Sequence, residues 1–262
     1  MRHLVYLPSR FVSRWLVLLQ LIYLAGTGGA AAATFTNLVA QGDVFEKQGN
    51  VAAALAVYTN AEPCAASCAD LCLLTRLYCD LMHDAAAPAL QKTLAERALA
   101  CALRAEKAGP KSATAHLCVA VSYAKNFPYV DTGTKVTWSK AIKTECETAI
   151  ALDPRQDVGY YLLGRWYFGT ANMNFLIKGL VEIVYGGLPK ASNADAIRNF
   201  KQAIALAPAR IIHHCELARV YEATGEKRLA IAELETCARL KPVDRDDADA
   251  QQDAAKRLVA LR

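Results

Sequence analysis

Apolar residues recur at helical spacing along almost the whole chain after Thr34. The spacing of three to four residues is typical of amphipathic α-helices, alanine is abundant, and no alternating strand pattern stands out. Glycine and proline interrupt the apolar pattern at intervals and act as stop signals for helices. The sequence therefore predicts an all-α protein in which the helices follow one another in pairs.

These interruptions divide the chain into about five helix pairs and a last helix. The predicted pairs are 35–48 with 51–60, 68–83 with 89–107, 113–126 with 135–152, a fourth from about 158 to 208, and 211–224 with 227–240; the last helix is 247–261. Three aspartates at 246, 247 and 249 begin the last helix, where carboxylates suit the positive end of the helix dipole. We expect this helix to cap the array.

A spacing of small, large and turn-forming residues recurs in these pairs. It is seen at Gly164, Tyr167, Ala196, Phe200, Ala203 and Pro208, again at Ala218, Tyr221, Ala230, Leu234, Cys237 and Pro242, and in the first pair at Gly42, Phe45, Ala54 and Tyr58. The spacing is typical of the tetratricopeptide (TPR) repeat, a helix–turn–helix unit of about 34 residues. A small residue on the first helix lets the second approach closely, and the large residue fills the space between them. We therefore predict a TPR-like α-α superhelix over residues 34–262, a class of fold that binds partners.

The fourth pair contains an insertion between Tyr167 and Ala196. Residues 173–185 are apolar on nearly all sides, and a helix of this kind must be buried or must cover an apolar surface. One interpretation is that the insertion packs across neighbouring repeats as core. The other is that it helps line a groove for an acyl chain or an apolar peptide. The candidate groove residues are Trp166, Phe175, Ile177, Leu180, Val184 and Tyr185.

Residues 1–33 differ in composition from the rest of the chain. Three arginines precede an apolar stretch at 15–25, and a stretch rich in small residues follows at 26–33, which is the order of a secretory signal peptide. Residues 15–33 together form 19 uncharged positions, close to the roughly 20 that a membrane-spanning helix needs. The sequence therefore predicts a signal peptide or an N-terminal membrane anchor. The protein would then be periplasmic, secreted, or anchored to a membrane by its N-terminal segment.

Most of the net positive charge of the chain lies in this leader. Three of the 30 basic residues and none of the 25 acidic residues lie within it, so the net charge falls from +5 to +2 without it. A folded part with so little charge, and with no basic run, does not indicate a nucleic-acid surface. We expect no nucleic-acid partner.

Nine cysteines are many for a chain of this length. They are Cys64, Cys68, Cys72, Cys79, Cys101, Cys118, Cys146, Cys215 and Cys237. The first four fall on one face if a single helix carries them, which is compatible with a soft-metal or redox patch. No Cys-x-x-Cys pair occurs, and free cysteine packs as a small apolar residue, so we interpret these residues mainly as core.

The remaining candidate chemistry is sparse. His213 and Glu216 have a spacing that places two groups on one helix face, but a second such pair is missing, and a surface or interface role is the simpler interpretation. Neither a glycine-rich phosphate loop nor a nucleophile elbow occurs in the sequence. We therefore predict a protein without enzymatic activity, cofactor or metal site.

Three segments of the fourth unit carry a family resemblance. They are Leu163-Gly164-Arg165-Trp166-Tyr167, Gly187-Leu188-Pro189-Lys190-Ala191-Ser192 and Ala196-Ile197-Arg198-Asn199-Phe200. With the insertion between them, they resemble the regulator of microtubule dynamics family. The resemblance implies a helical TPR-like domain, often behind an N-terminal membrane segment, and association with microtubules or organelle contact sites. It also implies a hydrophobic cavity that can hold lipid, as in the family's mitochondrial tether.

Three hypotheses of function follow. The first is a scaffold that holds a protein partner on its concave surface, since solenoids offer extended concave surfaces. The second is a lipid-binding or lipid-transfer module that uses the apolar groove around 166–188. The third, a microtubule-associated regulator, rests on the resemblance alone, because an acidic tubulin surface requires a basic patch that the sequence pattern does not reveal.

Overall fold

The computed structural model describes residues 32–243 and 247–262 of the chain. The predicted leader lies, except for its last two residues, outside this part. Within the described residues the regular structure is helical throughout and contains no strand. The prediction of an all-α protein is confirmed.

Twelve helices follow one another in the described part. They are α1 (32–47), α2 (Val51–Ala61), α3 (Cys68–Asp84), α4 (Pro88–Ala108), α5 (Ala113–Asn126), α6 (Thr132–Leu152), α7 (Asp157–Ala171), α8 (Phe175–Tyr185), α9 (Asn193–Leu206), α10 (Ile211–Ala223), α11 (Lys227–Arg239) and α12 (Asp247–Leu261). The predicted boundaries agree with these to within a few residues, and α8 is the insertion.

Local sequence signals explain where several helices begin. Ser67 accepts a hydrogen bond from the backbone N–H of Asp70, and the Asp70 carboxylate accepts one from the N–H of Ser67, which forms a capping box before α3. Ser112 and Ser192 cap α5 and α9 through their hydroxyl oxygens, which accept hydrogen bonds from the backbone N–H groups of Ala115 and Asp195. Gly186 ends α8 in the left-handed conformation, with φ of 70°, which glycine adopts without strain.

The helices pack as antiparallel pairs in a solenoid. The pairs are α1 with α2, α3 with α4, α5 with α6, α7 with α9, and α10 with α11, and each later pair also packs on the pair before it. The first helices of four successive pairs, α3, α5, α7 and α10, contact one another in that order. They therefore form one wall of the superhelix, which is its concave face.

The residues of the recurring spacing lie at the contact between the two helices of each pair. A Cβ atom on Gly164 would be 2.8 Å from the ring of Phe200, and one on Gly42 would be 2.1 Å from the ring of Tyr58. The small and large positions that are fully buried are Ala54, Tyr58, Ala196, Phe200, Ala203, Ala218, Ala230, Leu234 and Cys237. Tyr221 is buried and Tyr167 half-buried in the same core as Phe200, and Pro208 and Pro242 lie in the turns after α9 and α11. Helix α12 covers the C-terminal end of the array, where its Ala250 and Ala254 pack against α10 and α11.

The interpretation of the insertion as core is wrong. Helix α8 contacts α6 and buries Val181, while Phe175 is 78% exposed and Ile183 is 86% exposed. The helix lies beside the solenoid because α7 and α9 pack directly against each other and leave it no interior position. Its attachment includes a hydrogen bond of 3.1 Å from the Lys140 ammonium to the carbonyl of Tyr185.

Candidate binding groove

The concave face carries two adjoining cavities. The first has a volume of about 800 Å³ and lies between α3, α5 and the start of α7. The second, of about 570 Å³, lies between α5, α6 and α7. Val121, Lys125 and Val158 line both, so the cavities form one continuous depression, the concave groove.

The floor of the concave groove is mainly apolar. Leu117 is buried and Leu73, Val121, Val158 and Leu162 are half-buried along it. These side chains come from α3, α5 and α7, so the apolar floor runs across three repeat units. A floor of this length suits an extended or helical segment better than a compact small molecule.

Cations dominate the charge of the groove. Arg76, Lys125 and Arg165 line it, while Asp80 is the carboxylate in the lining. No carboxylate of the described residues forms a salt bridge with any of these three cations. The guanidinium of Arg165 lies 5.9 Å from the centre of the Tyr161 ring. Three cations that form no salt bridge among the described residues, beside an apolar floor, are complementary to an acidic segment that carries apolar side chains.

The six residues predicted for an apolar groove do not line one groove in the structure. Trp166 lines the second cavity, is 7% exposed, and donates its indole N–H to the carbonyl of Ser139 at 2.8 Å. The other five lie on α8, outside both cavities: Phe175, Ile177, Leu180, Val184 and Tyr185. The indole points toward α6, so it is separated from the exposed face of α8.

Sequence reasoning missed the residues that do line the groove. Arg76, Lys125, Leu117 and Val121 lie on the faces of α3 and α5 that point away from their partner helices. A signal was available, since Arg76, Val121 and Arg165 occupy the same position in the first helices of three successive repeats. Recognising it requires the stacking of repeats, because no single helix brings the two cations together.

Two buried histidines tie neighbouring parts of their repeat units together. The Nδ1–H of His116 donates to Glu145 at 2.6 Å and its Nε2–H donates to the carbonyl of Pro110 at 3.0 Å. His214 makes the same pair of contacts, with Glu233 at 2.7 Å and the carbonyl of Pro208 at 3.0 Å. Each histidine therefore joins the loop before its own helix to the second helix of the unit. We call these contacts the histidine clips.

The clips favour the charged form of both imidazoles. Burial opposes that form, but the hydrogen bonds to a carboxylate and a carbonyl outweigh it and raise the pKa of His116 and of His214 above the ordinary value. Glu106 lies 3.7 Å from the Nδ1 atom of His116, and three groups so arranged are able to hold a metal ion. The second clip repeats the geometry with one carboxylate, which favours a structural role for both.

Of the two roles expected for His213, the surface role is wrong, because His213 lies buried at the interface between α10 and α7. Its side chain is 1% exposed and its Nε2 atom lies 2.8 Å from the carboxylate of Asp157, while Glu216 is 7% exposed and pairs with Arg219. His213 and Glu216 therefore have separate partners and do not form a two-ligand site. The pKa of Asp157 is lowered to about 2: burial alone would raise it, and the hydrogen bonds from His213 and Arg210 outweigh that effect.

The histidine clips predict how stability depends on pH. Because the folded pKa of each histidine is raised, the stabilisation is complete below the unfolded pKa of about 6.5 and is lost as the pH rises through the folded pKa. Urea midpoints measured between pH 6 and pH 8.5 should therefore fall for the natural chain. Glu233→Gln keeps the side-chain volume and should flatten this fall. An unchanged slope in both Glu233→Gln and Glu145→Gln would show that the clips do not contribute.

Similar proteins were found at the level of sequence and of structure. The family model described as Regulator of microtubule dynamics protein 1-3 matches residues 38–262. Regulator of microtubule dynamics protein 2 of Homo sapiens is 26% identical over 174 residues, which cover 65% of this chain and 40% of that protein. Protein 3 of Xenopus laevis is 27% identical over 66% of this chain and 38% of its own length. The chain thus spans well under half the length of these two curated relatives.

The solved structures that resemble this one are TPR proteins. A thermophilic TPR protein from Thermus thermophilus superposes with a TM-score of 0.58 at 18% identity, over 85% of this chain and 99% of that one. A chain of the APC/C hetero-tetramer Cut9-Hcn1 gives a TM-score of 0.51 at 14% identity, over 83% and 35% of the two chains. At these identities the likeness shows the fold alone, and it confirms the predicted superhelix.

The predicted localisation is wrong. The relatives are named as regulators of microtubule dynamics, which contradicts the expectation of an exported or membrane-attached protein.

Across residues 32–243 and 247–262, no helix is both long enough and apolar enough to cross a bilayer.

The fold, the relatives and a family model that matches 38–262 agree with the resemblance seen in the fourth unit. The chain therefore belongs to the family of regulator of microtubule dynamics proteins 1-3.

Proposed function

We propose that the protein is a non-enzymatic scaffold that holds an acidic protein segment in its concave groove. The observation that carries the proposal is the set of three cations, Arg76, Lys125 and Arg165, which lie beside an apolar floor and form no salt bridge among the described residues. An acidic segment would pair with the cations and place its apolar side chains on the floor. TPR-like architecture supports a protein as the occupant, since its extended groove matches the shape of a peptide.

An unbiased selection tests the chemistry of the occupant. The full chain is immobilised and presented with a displayed library of random 12-residue peptides, and the enriched sequences are read. We expect enrichment of peptides that combine Glu or Asp with Leu, Ile or Phe. Enrichment of neutral or basic peptides, or of acidic peptides that bind equally to Arg76→Glu/Lys125→Glu, would contradict the proposal.

Microtubules are the acidic partner that family membership favours. The small net charge of the folded part argues against this partner, but three cations that form no salt bridge among the described residues line the concave face. Co-sedimentation of the full chain with stabilised microtubules should decrease as salt rises and should be reduced by Lys125→Glu. Sedimentation that is equal for both chains, or absent at low salt, would exclude microtubules as the occupant of the groove.

A second candidate function, binding of a lipid acyl chain, is supported by α8. This helix exposes Phe175, Leu176 and Ile183 at 78%, 66% and 86%, and an exposed apolar face of this kind is typical of an interaction surface. Native mass spectrometry of the purified chain should then show a bound lipid that Leu180→Glu/Ile183→Glu removes. The absence of bound lipid, together with no uptake from liposomes, would exclude this function.

A further inference from the structure

Four thiols lie along the wall of the concave groove. Cys68, Cys72 and Cys79 come from α3, and Cys118 comes from α5. Cys72 is 8% exposed, and the other three are half-buried and line the same cavity. The interpretation of these residues as mainly core therefore describes only part of their environment, because each also borders a space of about 800 Å³ that is open to small molecules.

Cys72 lies at the centre of this group. Its sulfur interacts with the thiols of Cys118 and Cys68, and the Cys118 sulfur is 3.9 Å from the backbone carbonyl oxygen of Cys72. Cys72 and Cys118 belong to different repeat units, so their contact joins α3 to α5. Among the described residues, the ligand atoms of no three cysteines lie within 4.8 Å of one another, which favours chemistry between two thiols over a multi-thiolate metal site.

Interactions with the neighbouring thiols single out Cys72. Those with Cys118 and Cys68 outweigh burial and lower the pKa of Cys72 to about 7. The interaction with Cys72 raises the pKa of Cys118. Burial raises the pKa of Cys101 to about 12 and also raises that of Cys146. Cys72 is therefore the thiol with the larger thiolate fraction near neutral pH, and the thiolate is the nucleophilic form.

We propose that Cys72 is a modification site for small peroxides that enter the concave groove, and that Cys118 converts the product into a disulfide between α3 and α5. The Cys72 thiolate attacks one oxygen of hydrogen peroxide, the O–O bond breaks, and the hydroxide that leaves takes a proton to become water. Cys118 then attacks the sulfur of the Cys72 sulfenic acid. The S–O bond breaks, the thiol proton leaves with the hydroxide as water, and the S–S bond forms.

The reaction oxidises two thiols and reduces one peroxide to two waters, so no further reagent is required. It does not depend on what the groove binds. A Cys72–Cys118 disulfide would fix the relative position of the second and third repeat units at the wall of the groove.

A second pair of cysteines provides an internal comparison. The sulfur atoms of Cys215 and Cys237 are 2.9 Å apart, but both residues are buried between α10 and α11 and neither lines the concave groove. The hydrogen bond to Cys215 raises the pKa of Cys237. The sulfurs of Cys215 and Cys237 are therefore in close contact but lie away from the groove, whereas Cys72 borders the groove and has a lowered pKa. The order in which the two cysteine pairs are oxidised therefore shows whether the contact between sulfurs or the accessibility and pKa of the thiol determines the reaction.

The test treats the reduced full chain with hydrogen peroxide at pH 7, blocks the remaining thiols, and identifies linked peptides by mass spectrometry. We expect Cys72 to be oxidised first, the Cys72–Cys118 link to accumulate before any Cys215–Cys237 link, and dithiothreitol to reverse it. Cys118→Ala should abolish the Cys72–Cys118 link and slow the oxidation of Cys72, because it also removes the interaction that lowers the pKa of Cys72, and dimedone should trap the sulfenic acid that does form. Oxidation of Cys72 that is no faster than that of Cys101, or a first link at Cys215–Cys237, would overturn the proposal.

A measurement on the unmutated chain covers the case in which a variant fails to fold. The rate at which iodoacetamide labels Cys72 should rise with a midpoint near pH 7, in place of the pH 8.5 typical of a free thiol. The other titratable or charged side chains that line this cavity are Cys68, Arg76, Cys79, Asp80 and His83 on α3, and Cys118 and Lys125 on α5. A midpoint at pH 8.5 or above would contradict the assignment of Cys72 as the nucleophile.

Discussion

Replacing Gly164 with leucine is expected to lower the free energy of unfolding by about 3 kcal/mol, at the upper end of what overpacking typically costs. A Cβ atom at this position would lie 2.8 Å from two ring carbons of Phe200 and 2.9 Å from a third. The ring is fully buried between α7 and α9, so it has no space into which to move. Urea denaturation followed by circular dichroism measures the change.

Gly169 supplies the matched control for this prediction. It lies on the same helix, α7, but apart from its two chain neighbours and the nearby backbone of α7 itself, no heavy atom of the described residues lies within 4 Å of the position that its Cβ atom would occupy. Gly169→Leu should leave the stability unchanged or raise it by roughly 0.5 kcal/mol, since leucine favours a helix over glycine. Equal midpoints for Gly164→Leu and the natural chain would show that α7 and α9 do not pack as described.

Reversing two charges in the groove is expected to weaken the binding of an acidic segment on the order of 100-fold. Arg76→Glu/Lys125→Glu removes two attractions and replaces them with repulsions, each worth roughly 1 kcal/mol or more beside an apolar floor. Both side chains line the first cavity, and Arg76 is exposed, so the fold should tolerate the change. Fluorescence polarisation with a labelled peptide from the library selection measures the affinity.

Arg228→Glu is the control for charge in general. Arg228 is exposed on α11 and lies outside both cavities of the groove. This variant should bind the same peptide within about two-fold of the natural chain, because its charge is distant from the groove and screened by salt. A similar loss of affinity in Arg228→Glu and in the double variant would mean that net charge, and not the groove, governs binding.

The helices could be predicted closely because their limits are encoded locally. Ser67, Ser112 and Ser192 supply hydrogen bonds to the first turns of their helices, and glycine or proline follows most helix ends. The pairing could also be predicted, since Gly164 and Phe200 occupy the spacing that close helix approach requires. These signals act within one repeat unit and need no knowledge of the whole fold.

The groove and the position of α8 could not be predicted in the same way. Arg76 and Lys125 belong to different units and come together only because α3 and α5 stack side by side. The hydrophobicity of α8 predicts burial, but a helix is buried only where other elements leave a surface uncovered for it to pack against. Val181 is the residue of α8 that is buried in this way. Trp166 was grouped with α8 by its place in the sequence, whereas its indole turns toward Ser139 of α6.

Site-specific photocrosslinking tests the central claim, that the concave groove holds the partner segment, most directly. A benzophenone amino acid replaces Val121, which lines both cavities, or Ile183, which is 86% exposed on α8, or Arg228 on α11. Each chain is irradiated with the selected acidic peptide, and the crosslinked fraction is measured. We predict crosslinking from position 121 and little from positions 183 and 228. Crosslinking from position 183 with none from position 121 would contradict the claim and would place the partner on α8.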